Sequence, residues 1–161
     1  MTTYRTEKDS LGEMQVAQEA LYGAQTARAI DNFPISGQPL PAALIRALGL
    51  IKKHAATTNQ GLGLLPQDIA EVIRDAANEI VGGGHLEQFP VDIFQTGSGT
   101  SSNMNANEVI AHRAVQLLGK AMEGRTIHPN DQVNMGQSSN DVFPSAIHIA
   151  CTEELHHKLL P

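Results

Sequence analysis

Apolar residues recur at helical spacing in four stretches of the chain, and glycines or prolines separate each stretch from the next. Positions three, four and seven residues apart lie on one face of an α-helix, so each stretch predicts an amphipathic helix. No run of strand length alternates β-branched and polar residues, which predicts a mainly α domain and disfavours a doubly wound nucleotide-binding fold. The apolar positions are Leu44, Leu48, Ile51 and Ala55; Ile69, Val72, Ile73, Ala76, Ala77 and Ile80; Ala106, Val109, Ile110, Ala114, Leu117 and Leu118, with Arg113 at their edge; and Phe143, Ile147, Cys151, Leu155 and Leu159.

The segments outside these stretches predict less regular structure. Residues 4–13 have no helical period and end in a turn, so we expect an extended arm with at most a short hairpin. Residues 22–28 predict a short helix packed on something larger, with Arg28 at the surface or in a salt bridge. Pro144 is expected in the first turn of the fourth helix, where its missing N–H costs little. His54 and His85 lack ligand spacing and are predicted to be surface residues.

Charge and cysteine content narrow the class of protein. Seventeen Asp and Glu residues outnumber 11 Lys and Arg residues, giving a net charge of -6, which argues against binding nucleic acid or an anionic membrane surface. Cys151 is the only cysteine, so no disulfide can form within the chain, and a reducing compartment is favoured. The N-terminus lacks the apolar core of a signal peptide, and no apolar run approaches ~20 residues. We therefore expect a cytoplasmic protein with no membrane span.

Residues 95–107 combine two glycines with hydroxyl and carboxamide side chains directly before an apolar helical pattern. Glycines let the backbone approach a ligand, and a helix N-terminus offers unpaired N–H groups with partial positive charge. The segment therefore predicts a loop that feeds a helix and binds a small anion such as a carboxylate. An ordinary glycine loop with capping residues is an equally simple interpretation. A phosphate-binding P-loop is weaker, because no lysine follows Gly99.

A second hydroxyl-rich helix start follows at Ser138, Ser139 and Asn140, and it is also suited to a carboxylate. Simple N-capping by Ser138, with Asp141 three residues on, explains the same residues. His128, beside Pro129, could be a base, a ligand or a turn residue. The other histidines and Cys151 supply too few ligands at useful spacing, so neither a metal nor another cofactor is predicted.

Five segments resemble the class II fumarate hydratases of the fumarase/aspartase superfamily, and together they cover nearly the whole chain. The chain departs from the family's pattern at Ala17, where a proline is common, and at Met135-Gly136, where Lys-Ser is frequent. The matching segments are Arg5-Thr6-Glu7-Lys8-Asp9 with Gly12, Tyr22-Gly23-Ala24-Gln25-Thr26, Gln95-Thr96-Gly97-Ser98-Gly99-Thr100 with Asn103-Met104-Asn105, His128-Pro129-Asn130-Asp131, and Gln137-Ser138-Ser139-Asn140-Asp141.

The resemblance implies the reversible, metal-free hydration of fumarate to L-malate in the tricarboxylic acid cycle, by a homotetramer that uses no cofactor. It assigns two sets of residues to carboxylates. The substrate carboxylates would be bound by Ser98, Gly99, Thr100, Ser138, Ser139 and Asn140. A secondary dicarboxylate site would comprise Arg125, His128, Pro129, Asn130 and Asp131.

The resemblance also implies that the family's catalytic serine and histidine lie outside this sequence. Residues 1–138 would form a fumarase-like N-terminal domain, and residues 139–161 would begin the first helix of a central bundle. We therefore expect an N-terminal fragment that is inactive alone. Two alternatives remain: an aspartase-like ammonia-lyase of the same superfamily, and a non-catalytic fragment that binds dicarboxylates or partner helices.

Overall fold

The computed structural model describes residues 3–119 and 126–160, which form one β-hairpin and five α-helices. A 3-10 turn covers Leu86–Gln88, and π-helical turns cover Pro129–Val133 and Leu155–Leu159. The prediction of a mainly α domain is confirmed. The elements are the strands β1 (Tyr4–Asp9) and β2 (Gly12–Ala17) and the helices α1 (Ala24–Asn32), α2 (Ala42–Gly61), α3 (Gln67–Val81), α4 (Thr100–Leu118) and α5 (Ser139–Glu154).

The predicted arm is an antiparallel hairpin whose second strand runs beyond Glu13 to Ala17. The Asp9 carboxylate shapes the turn by accepting a hydrogen bond from the Leu11 N–H at 2.8 Å, and Gly12 adopts a φ of 123°. The same carboxylate accepts two hydrogen bonds from the Arg28 guanidinium, at 2.8 and 3.0 Å. Arg28 is therefore salt-bridged, and it ties the hairpin to α1.

Glu108 of α4 caps the N-terminus of α1 from inside the protein. Its carboxylate accepts hydrogen bonds from the N–H groups of Gly23, Gln25 and Thr26 and from the Thr26 hydroxyl, at 2.6–3.1 Å. These are backbone donors that a helix start leaves unpaired, and a carboxylate there also interacts favourably with the helix dipole. The sequence predicted a short helix packed on something larger, and the structure shows that the larger element is α4.

Helices α2, α3, α4 and α5 enclose the main core. Gly49 lets α3 approach α2 closely, since a Cβ there would lie 3.2 Å from methyl groups of Ile80 and Val81. The predicted buried face of α2 is partly wrong, because Leu44, Ile51 and Ala55 are only partly buried. Its buried residues are Ile45, Ala47, Leu48, Gly49, Lys52, Ala56 and Asn59.

Two helix starts differ from the sequence prediction. The loop ends at Gly99 and α4 begins at Thr100, so residues 101–105, which precede the first predicted helical position at Ala106, also belong to the helix. Pro144 is not in the first turn of α5 but inside the helix. It cannot donate the N–H that would pair with the carbonyl of Asn140 four residues earlier.

Helix α5 buries Val142, Ala146 and Ala150 against the core, and a second apolar stripe that runs along α5 into the π-helical turn after it is uncovered. Ile147 and Leu155 are each 41% exposed, and Cys151 and Leu159 are also exposed. In residues 3–119 and 126–160, no helix is long and apolar enough to cross a bilayer.

The two predicted surface histidines differ from each other. His54 is exposed, as expected. His85 is half-buried and its Nε2 lies 2.7 Å from Glu79 Oε2, so its prediction as a bland surface residue is wrong. Glu79 also accepts two hydrogen bonds from Arg113, at 2.6 and 2.8 Å, which together hold its pKa down to about 2.

Candidate functional site

The starts of α4 and α5 meet at Gly99 and Phe143. Gly99 adopts a φ of 65°, and a Cβ at this position would lie only 2.3 Å from Cγ of the Phe143 ring. A side chain here would be both strained and overlapped, so only glycine fits. Gly99, in the first polar segment, therefore lets the ring of Phe143, which follows the second polar segment, pack directly on its backbone.

A cavity of about 280 Å³ opens between these helix starts. Ser98 comes from the loop before α4 and Asn140 from the first turn of α5, and both line it. The Ser98 hydroxyl lies 2.8 Å from the Thr100 hydroxyl, which makes these two a hydrogen-bonded pair. The other lining residues are Gly97, Phe143, Pro144 and Ile147. The structure therefore brings residues of the two predicted carboxylate-binding segments to one cavity.

The two serines of the second segment, Ser138 and Ser139, form hydrogen bonds within the protein. The Ser138 hydroxyl accepts the Asn140 N–H at 3.3 Å, so it acts as the N-cap of α5, as the simpler interpretation proposed. The Ser139 hydroxyl accepts a hydrogen bond from Asn103 Nδ2 of α4 at 3.0 Å. This bond joins the two helix starts a second time. Whether Ser138 and Ser139 also contact a ligand stays a prediction.

The segment that leads into α5 takes part in a polar network that the sequence analysis missed. Lys52 of α2 is 0% exposed, and its Nζ donates to Asn134 Oδ1 and Gln137 Oε1, both at 2.9 Å. Burial lowers the pKa of this ammonium to about 7. Its position offered a signal, because Lys52 falls four residues from both Leu48 and Ala56 on the buried face. A lysine among apolar residues is more often a surface residue, and the apolar pattern alone could not distinguish the two cases.

The predicted secondary site lies around a second cavity of about 410 Å³. His128, Pro129 and Asn130 line it, whereas Asp131 is exposed beside them. His128 Nδ1 accepts the Asp131 N–H at 3.2 Å and lies 3.2 Å from Asp131 Oδ2, and this histidine side chain is 58% exposed. Arg125, the remaining member of the predicted set, lies outside the described residues.

Comparison with known proteins shows the family to which this chain belongs. A protein family described as "Lyase" matches residues 12–161. The chain belongs to this lyase family. Two curated relatives named fumarate hydratase class II match nearly the whole chain. The protein from Halobacterium salinarum is 59% identical over 158 residues, which are 98% of this lyase chain and 34% of that protein. The protein from Nitrosomonas europaea is 53% identical over 162 residues, 100% and 35% of the two chains.

Solved structures agree with the fold of this lyase chain. Recombinant class II fumarase from Schistosoma mansoni superimposes with a TM-score of 0.94 at 42% identity, covering 99% of this chain and 34% of that one. A fumarate lyase:delta crystallin from Brucella melitensis superimposes with a TM-score of 0.89 at 48% identity, covering 96% and 36%. The chain thus spans about a third of the length of the relatives it matches.

The two cavities of this lyase chain differ in charge. The described lining of the smaller cavity has no charged side chain: it combines the Ser98 hydroxyl and the Asn140 amide with the apolar side chains of Phe143, Pro144 and Ile147. The larger one is lined by both acidic and basic side chains, and its carboxylates are already bonded to donors within the protein; these side chains are Glu7, Asp9, Glu108, Lys8, His112 and His128. In the described ranges, no three His, Cys, Asp or Glu side chains cluster as ligands for a metal ion would. The smaller cavity is the one that residues of both predicted carboxylate-binding segments line, which makes it the candidate site.

Proposed function

We propose that this chain is the amino-terminal third of a fumarate hydratase, which interconverts fumarate and L-malate. The observation that carries the proposal is the convergence of two donor-rich helix starts on one uncharged cavity, with Ser98 and Asn140 in its lining. The class II fumarate hydratase names of relatives at 59% and 53% identity support the same reaction.

The reaction favours the donors that this cavity offers. Hydration adds the hydroxyl of water to one alkene carbon and a proton to the other. In reverse, removing the proton beside a malate carboxylate moves negative charge onto that carboxylate before the hydroxyl leaves. Donors placed where this charge develops stabilise the transition state. Hydroxyls, amides and helix N–H groups donate without binding a proton themselves, so they leave the acid–base work to other residues.

The proposed substrate contacts come from both helix starts. The Asn140 carboxamide would bind one carboxylate, and the loop before α4 would bind the other. The bonds between Asn103 and Ser139 and between Ser98 and Thr100 would hold both sets of donors in place before binding. The full proposed set is Ser98, Gly99, Thr100, Ser138, Ser139 and Asn140.

The rest of the proposal follows the family resemblance. The base would come from a part of the protein outside this chain, and the complete enzyme would be a cytoplasmic homotetramer acting in the tricarboxylic acid cycle. The secondary dicarboxylate site would use Arg125, His128, Pro129, Asn130 and Asp131. The single cysteine supports a reducing compartment. The uncovered stripe on α5 supports assembly with further helices.

A substrate comparison on the complete gene product tests the reaction. We expect loss of the ultraviolet absorbance of fumarate with formation of L-malate, and no release of ammonia from L-aspartate. Ammonia release without hydration would replace the proposal with an ammonia-lyase. The 161-residue chain assayed alone is expected to bind substrate poorly and to catalyse no hydration, and turnover by it would contradict the placement of the base elsewhere.

A further inference from the structure

Lys52 is a buried cation whose partners are all neutral. Its side chain is fully buried, and its two hydrogen-bond acceptors are the side-chain oxygens of Asn134 and Gln137. Across residues 3–119 and 126–160, no carboxylate pairs with it. Burying an unpaired ammonium is unfavourable, and the lysine responds with a pKa lowered to about 7 by burial. A residue that is this unfavourable in a core needs a reason beyond packing.

The two acceptors belong to the segment that leads into α5, and their amide nitrogens are already committed. Asn134 Nδ2 donates to the Gln137 carbonyl at 3.2 Å. Gln137 Nε2 donates to the carbonyls of Val133 at 2.9 Å and Met135 at 3.3 Å. With the NH2 ends fixed on the backbone, both amide oxygens point to the position where Lys52 supplies the donors. The lysine thereby completes the hydrogen bonding that folds residues 133–137 into one conformation.

The same acceptor connects Lys52 to the other helix start. Asn134 Oδ1 also accepts from Asn103 Nδ2 at 3.2 Å, and that nitrogen donates to the Ser139 hydroxyl at 3.0 Å. Three consecutive hydrogen bonds therefore run from Lys52 on α2, through α4, to the first residue of α5. Asn140, which lines the cavity, follows directly in the chain.

We propose that Lys52 is a positioning residue for the dicarboxylate site, holding residues 134–140 against α4 so that both helix starts face one ligand. The identity of the ligand in this proposal rests on the proposed function. The ordering of residues 134–140 by Lys52 does not depend on it. A neutral Lys52 amine retains two N–H donors, and each of the two acceptors needs only one of them. The arrangement therefore tolerates loss of the ammonium proton.

Local amide hydrogen exchange in the complete gene product tests this role directly. In Lys52→Met, exchange within residues 134–140 is expected to rise at least about tenfold, because two buried amide oxygens lose their donor, while exchange within α3 stays unchanged. Lys53→Met is the matched control, since it removes the neighbouring lysine of the same helix. Lys52→Gln, which keeps an NH2 donor one bond shorter, is expected to restore part of the protection.

Kinetics add a readout that loss of stability alone would not move. We expect Lys52→Met to raise the KM for fumarate about tenfold or more with a smaller change in kcat, and Lys52→Gln to recover part of that loss. If Lys52→Met does not fold, Asn134→Ala removes one acceptor and is expected to loosen the same segment. Unchanged exchange at residues 134–140, or a rise that is equal in α3, would overturn the positioning role.

Failure of the two proposals gives different results. A wild-type protein that hydrates no fumarate would refute the proposed function, while the exchange comparison would still decide whether Lys52 orders the segment. Normal hydration with unaltered exchange in both Lys52 variants would refute the positioning role alone.

Discussion

At the scale of single residues, Gly99 and Gly97 differ although they are two positions apart in one loop. Gly99 has a positive φ and the Phe143 ring against its Cα, whereas a Cβ at Gly97 would meet nothing within 4 Å. The Thr-Gly-Ser-Gly-Thr pattern suggested close backbone approach to a ligand. The structure shows that one of its glycines is needed first for the approach of another helix.

Gly99→Ala is therefore expected to separate the two helix starts. The added methyl group would displace Phe143 and force a strained backbone, which we expect to destabilise the fold by about 2 kcal/mol or more. Thermal denaturation of Gly99→Ala beside Gly97→Ala checks this, because the second substitution adds the same atoms in open space. Equal melting temperatures for the two variants would contradict the packing at Gly99.

Glu108 provides a second residue-scale prediction, on folding rather than binding. Glu108→Gln replaces an oxygen that accepts hydrogen bonds with an NH2 group that faces the same N–H donors. We expect a loss of about 3 kcal/mol, because buried donors at the start of α1 lose their acceptor. Denaturant unfolding measures the loss, with Glu13→Gln on the exposed face of β2 as the control. A change under about 0.5 kcal/mol, the range of ordinary surface substitutions, would show that the carboxylate does not cap α1.

At the scale of elements, helical periodicity predicted every long helix, but it placed boundaries and buried faces less well. The start of α4 was hidden because Asn103, Asn105 and Asn107 are polar and yet buried in its first turns. The predicted buried face of α2 differs from the observed one because the centre of the observed face holds Lys52 rather than an apolar residue. Asn103, Asn105 and Lys52 take core positions through specific hydrogen bonds, which a hydrophobic pattern cannot represent.

The docking of the hairpin on α4 predicts a pH dependence of stability. His112 donates from Nδ1 to the Leu21 carbonyl at 2.7 Å, and its Nε2 lies 3.2 Å from Glu7 Oε1, which also accepts from Arg5. Burial lowers the pKa of His112, but the bond and charge of Glu7 outweigh it, so the pKa is raised above 6.5. The hydrogen bond from His112 lowers the pKa of Glu7 below 4.5.

These directions set the pH window in which the hairpin is held. Because the pKa of His112 is raised on folding, this histidine stabilises the fold fully below pH 6.5. That contribution is lost as the pH rises through the pKa of His112 in the folded protein. The lowered Glu7 pKa stabilises it above 4.5 and is lost as the pH falls through the folded value. We expect the melting temperature of the wild type, relative to that of His112→Gln, to decline as the pH rises above 6.5. His54→Gln, at an exposed position, serves as control, and a constant difference across this range would exclude the ion pair.

At the scale of the whole molecule, the stripe on α5 is an apolar surface that the described residues do not cover. Ile147, Cys151, Leu155 and Leu159 follow helical spacing on the side away from the core. We expect the 161-residue chain to self-associate through this stripe, because association would remove its apolar side chains from contact with water. Sedimentation velocity of the wild type against Ile147→Ser with Leu155→Ser checks this. Association that persists equally in the double variant would place the contact elsewhere.

The candidate site illustrates what a sequence can and cannot supply at this scale. Residue type and position at helix starts predicted the two carboxylate-binding segments, the family resemblance singled out Ser98 and Asn140 within them, and the fold brings these two residues to one cavity. The division at residue 138, the roles of the serines and the secondary site stay predictions. Lys52 and Phe143 were missed as site-forming residues, because their importance comes from contacts with segments more than 40 positions away along the chain.

The central claim is that donors from both helix starts bind one dicarboxylate, and the kinetics of Asn140→Ala test it most directly. In the complete gene product we expect this variant to reduce kcat/KM for fumarate hydration by about 100-fold, the loss typical of one donor to developing charge. Asn78→Ala, at an exposed position on α3, should match the wild type. A kcat/KM for Asn140→Ala within about threefold of wild type would contradict the account.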